Sequence, residues 1–78
     1  MDKEYENQQK IDKEYENQQK IKGYGREQNK ETLKVALRKL YVEYDNETTP
    51  TERQRLKKQI TAIEERIVEL NKRAMFLI

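Results

Sequence analysis

From Leu56 onward, large apolar residues recur at steps of four, three, four, three, four and three: Leu56, Ile60, Ile63, Ile67, Leu70, Ala74 and Leu77. Only a helix brings residues so spaced onto one face, and an average period of about 3.5 residues marks a narrow coiled-coil-like seam. Such a stripe has to meet another helix. One is at hand upstream, where Leu33, Leu37, Leu40 and Tyr44 step by four, three and four, with Ala36 and Tyr41 widening the face.

The signals between the stripes fix the boundaries. Asn29 is placed to cap the first helix, with Glu31 in its first turn where a negative charge suits the helix dipole. Asp45 to Thr48 have turn chemistry. Thr49, Pro50 and Glu52 then supply a capping threonine, a proline at the first helical position and a glutamate at the third, the pattern of a capping box. A connection this short returns the chain on itself, so residues 26–78 are expected to form an all-α, antiparallel helical hairpin of coiled-coil type.

The two helices predicted in this way are unequal. At 1.5 Å per residue the first spans roughly 24 Å and the second roughly 40 Å. The second should therefore overhang from near Arg66, and that end is the most apolar part of the chain. Burying one large apolar side chain contributes roughly 1.5 to 3 kcal/mol, so the overhang calls for cover by a second copy, by the N-terminal segment or by another protein. The expected protein interface is Ile67, Leu70, Ala74, Met75, Phe76 and Leu77, with dimerisation into a helical bundle as the simplest outcome.

The N-terminal part is of another kind. Asp2–Lys10 and Asp12–Lys20 are the same nine residues, DKEYENQQK, and each is followed by isoleucine. Ten residues turn a helix through about 1000°, roughly 80° short of three full turns, so the copies share no straight face. Glu, Lys and Gln favour helix, but little apolar surface supports it, which predicts a flexible or conditionally helical segment. Gly23 and Gly25 flank Tyr24 and are expected to hinge it away, making residues 1–25 one unit and residues 26–78 the other.

Composition narrows function more than it names it. The 78 residues contain no Cys, His or Trp, so the usual thiolate and imidazole ligands and the commonest general base are missing. The carboxylates show no metal-loop pattern, and two thin helices offer no cleft for acid and base chemistry. No enzyme activity and no cofactor are expected. The absence of any long apolar run predicts no membrane partner, and the acidic opening residues predict a cytoplasmic protein. Small size, tandem duplication and heavy use of Lys, Asn, Ile and Glu suit a phage or mobile element.

Two function classes follow. The first is a protein-protein interaction module, a regulator or inhibitor that occupies a partner's surface. The alternative is a nucleic-acid accessory protein using Arg53, Arg55, Lys57 and Lys58, joined across the hairpin by Arg38 and Lys39. The net charge of +2 gives it little support, and Glu43, Asp45, Glu47 and Glu52 at the hairpin tip would blunt attraction to a polyanion.

Overall fold

A computed structural model describes the backbone of residues 3–76 and the side chains of residues 12–75. Those residues are all-helical: α1 (Lys3–Arg26), α2 (Lys30–Asn46) and α3 (Pro50–Phe76). Asn29 caps α2 as its position predicts, its Oδ1 accepting from the amides of Glu31 at 2.9 Å and Thr32 at 3.4 Å.

The capping box expected at α3 takes a different form. Glu52 does not reach back to Thr49; its carboxylate meets Arg55 and Lys13 instead. The Thr49 amide donates to Glu47 Oε1 at 3.0 Å, and the Asn29 amide donates to Glu27 Oε1 at the same distance. Both connections thus use a glutamate to hold the amide two residues on. Each is also tied to α3 by an arginine: Arg66 Nε donates to the Glu27 carbonyl at 2.8 Å, and Arg53 Nη1 to the carbonyls of Tyr44 and Glu47 at 2.9 and 3.0 Å. The Arg53 guanidinium lies 4.0 Å over the Tyr44 ring, adding a cation–π contact.

These contacts give the second connection a pH dependence. Hydrogen bonds from the Thr49 backbone, foremost, and the nearby Arg53 charge hold the Glu47 carboxyl below its ordinary value of 4.5. A depressed folded pKa contributes stability that is present above the ordinary carboxylate range and lost as pH falls through the folded value. Glu47→Gln is therefore expected to lower the melting temperature at neutral pH and to leave it unchanged in acid below that range; an equal loss at both would contradict the assignment.

Gly23 and Gly25 do not form the expected hinge. α1 runs through both to Arg26, and the break falls at residues 27–29. Glycine permits a turn without requiring one, and here Tyr24 between them packs against the core and holds the helix together. Neither glycine has a positive φ, and a Cβ added at either would meet nothing within 4 Å. Replacing each with alanine should stabilise the chain by about 0.5 to 1 kcal/mol, read as a rise in the urea midpoint.

Leu33 and Ile63 are fully buried, and with Leu40 and Ile60 they form the core between α2 and α3. Leu56, Ile67 and Leu70 of the α3 stripe pack around it, whereas Ala74 is exposed. The overhang accordingly starts later than Arg66. Leu33, in the first turn of α2, belongs to the same core that Ile67 and Leu70 pack against, so α2 covers α3 as far as Leu70 and residues 71–75 are exposed.

α1 is laid along α3 in the same direction. Lys13 meets Glu52, Glu14 meets Arg55, Asn17 meets Gln59, and the Glu27 carbonyl meets Arg66. α2 meets α3 in the opposite order, Tyr44 beside Arg53 and Tyr41 donating to Glu64 at 3.2 Å. The α3 residues facing the two neighbours are adjacent in sequence: Arg55 and Leu56, Gln59 and Ile60, Arg66 and Ile67. One residue turns a helix by about 100°, so α1 and α2 approach α3 from directions set near a right angle.

Candidate partner-binding cleft

Three helices set in this way occupy three corners of a square, with α3 between its two neighbours. Across from α3, between α1 and α2, lies an open cleft of about 600 Å³. Leu40, Leu56 and Ala36 give it an apolar interior, and Tyr24 and Val35 stand on its walls. Val35 is 46% exposed although it faces this interior, a sign that the wall is unfinished. Around the mouth Lys13, Lys20 and Lys39 alternate with Glu16, Glu43 and Glu52.

The α1 side of the cleft is polar and satisfied. Asn17 and Gln59, both buried, share a hydrogen bond of 2.6 Å from Gln59 Nε2 to Asn17 Oδ1. Buried Arg55 donates from Nε to Glu14 Oε1 at 2.6 Å and also pairs with Glu52. The bond to Glu14, with the Glu52 charge beside it, raises the Arg55 pKa above its ordinary value and keeps the guanidinium charged. Further along α1, burial and then the Glu43 carboxylate of α2 push the Tyr24 phenol up, so its hydroxyl is a proton donor at neutral pH.

The residues anticipated as functional are dispersed. Of the expected interface, Ile67 and Leu70 are half-buried at the core margin and Ala74 and Met75 are exposed, Met75 by 76%. The Phe76 side chain and Leu77 lie outside the described residues. Of the six basic residues, Arg53 and Arg55 are engaged by the contacts given above, and Arg38, Lys39, Lys57 and Lys58 are exposed. Lys39 lines the cleft, and Lys57 and Lys58 border a separate hollow with Ile21 and Ala62.

The sequence offers the N-terminal segment only as one possible cover for the end of the second helix, and apolar patterning gives no sign of its polar contacts along α3 or of the cleft. A signal for them exists one residue behind the apolar stripe: Arg55, Gln59, Ala62 and Arg66 repeat at steps of four, three and four, a second face of largely polar character. Comparison of the chain with protein-family models, curated proteins and solved structures finds no match. Among the described residues no helix is long and apolar enough to cross a membrane, and no carboxylate cluster is placed to hold a metal ion.

Proposed function

We propose that this chain is a helical protein-protein interaction module, an α2–α3 antiparallel hairpin with α1 laid alongside, that regulates or inhibits a partner by accepting one of its helices. The observation that carries the proposal is the vacant corner between α1 and α2. A helix laid there would complete a four-helix bundle, cover Val35, Leu40 and Leu56, and set its flanking charges against the mixed lysines and glutamates of the mouth. The same reading places self-association at the other end, where Ala74 and Met75 extend α3 past its neighbours in the manner of a dimer seam.

Affinity capture from native cells with the intact chain and with Val35→Glu tests the cleft. Val35 is exposed enough for the substitution to leave the fold intact, as circular dichroism would verify. A protein retained by the native chain and lost with Val35→Glu is the expected result. Equal retention by both, or capture of nucleic acid with a steep salt dependence, would overturn the proposal. Sedimentation of Met75→Glu beside the native chain tests the self-association arm in the same way: a strictly monomeric native chain would remove it.

A further inference from the structure

The duplicated unit and its docking site bear on each other. Every side chain from residues 12–20 that is bonded to α3 has a twin ten residues earlier: Lys13, Glu14 and Asn17 have Lys3, Glu4 and Asn7. The receiving groups on α3 are Glu52, Arg55 and Gln59. The α1 to α3 separations in sequence are 41 and 42 for the two hydrogen bonds, and the same offset from Glu4 and Asn7 points ahead of Pro50, where α3 has not begun. One receptor is therefore matched by two identical ligands on one helix.

We infer that Glu52, Arg55 and Gln59 form a docking site that reads the sequence Lys-Glu-Tyr-Glu-Asn, and that the first copy is its second ligand within the same chain, so that α1 docks on α3 in two registers ten residues apart. The polar contacts are the same in both registers. What favours the observed one is what lies after the second copy: Tyr24 packed on the core and the Glu27 carbonyl bonded to Arg66. Moving α1 by ten residues, about 15 Å, requires the stretch before α2 to leave the helix. Gly23 and Gly25 sit in that stretch, and neither is needed for close packing or for a positive φ. Two glycines make that stretch the easiest part of α1 to unwind.

Engineered disulfides test this in the full chain, which has no cysteine of its own. The pair Asn17→Cys with Gln59→Cys reports the observed register and serves as the control. The pair Asn7→Cys with Gln59→Cys reports the other, and its intrachain yield should rise by about tenfold when Glu14→Ala removes a charge-assisted bond that only the observed register uses. Adding Gly23→Ala and Gly25→Ala should reduce that yield by about tenfold by stiffening the helix. Absence of the 7–59 bond in every background while the 17–59 control forms would overturn the inference, and so would a 7–59 bond found only between two chains.

Discussion

Ile63→Ala is expected to remove a large part of the stability of this chain. Ile63 is fully buried in a core of four residues with Leu33, Leu40 and Ile60, and cutting a buried isoleucine back to alanine costs about 2 to 5 kcal/mol through lost transfer energy and the cavity left behind. A small domain has about 5 to 15 kcal/mol in all. Urea unfolding followed by helical circular dichroism should show a large fall in midpoint. Val68→Ala, at a position 51% exposed on the same helix, should change it little, and similar effects from the two would mean that the α2–α3 core is misplaced.

The second large effect concerns the buried amide pair. Gln59→Leu leaves the Asn17 side chain buried without its partner, which costs about 1 to 3 kcal/mol, whereas Asn17→Leu with Gln59→Leu removes both polar groups and should recover most of that loss. The double-mutant cycle measures the coupling across the α1–α3 contact. Additive losses would show that the two side chains do not meet. The recovered variant should also dock α1 less selectively, because apolar contacts fix a helix register less strictly than a matched hydrogen bond.

The cycle bears on why α1 was the least legible part of the chain. α2 and α3 announce themselves through apolar periodicity and through start signals, a cap at Asn29 and a first-turn proline at Pro50, and the two helices begin where those signals lie. Helix α1 is held to α3 by Glu14, Asn17 and Lys13 meeting Arg55, Gln59 and Glu52, and polar pairing leaves no hydrophobic pattern. Apolar stripes therefore leave the segment without a defined docking face. The glycines misled for a related reason: the propensity cost of Gly23 and Gly25 is about 1 kcal/mol each, less than the packing of Tyr24 between them and the Arg66 bond just beyond can offset.

Helix length alone overstates the overhang. Laying a 17-residue α2 flush against α3 leaves everything past Arg66 uncovered, but the core that includes Leu33 reaches Ile67 and Leu70, and the connection at Glu27 closes on Arg66. Among the described residues the exposed end of α3 is thus confined to residues 71–75. The larger unfilled surface is the cleft, which arises from the right-angled placement of α1 and α2 about α3. No single helix's pattern reveals that placement.

Spin labels at Lys20→Cys and Lys39→Cys, on the two walls of the cleft, measure that placement in solution, since no other cysteine competes for the label. Helices in contact lie about 8 to 10 Å apart between axes. Pulsed dipolar spectroscopy should return a defined separation too wide for α1 and α2 to touch, with room for a further helix between them. A separation typical of packed neighbours would mean that the corner is closed and that no partner helix is received there.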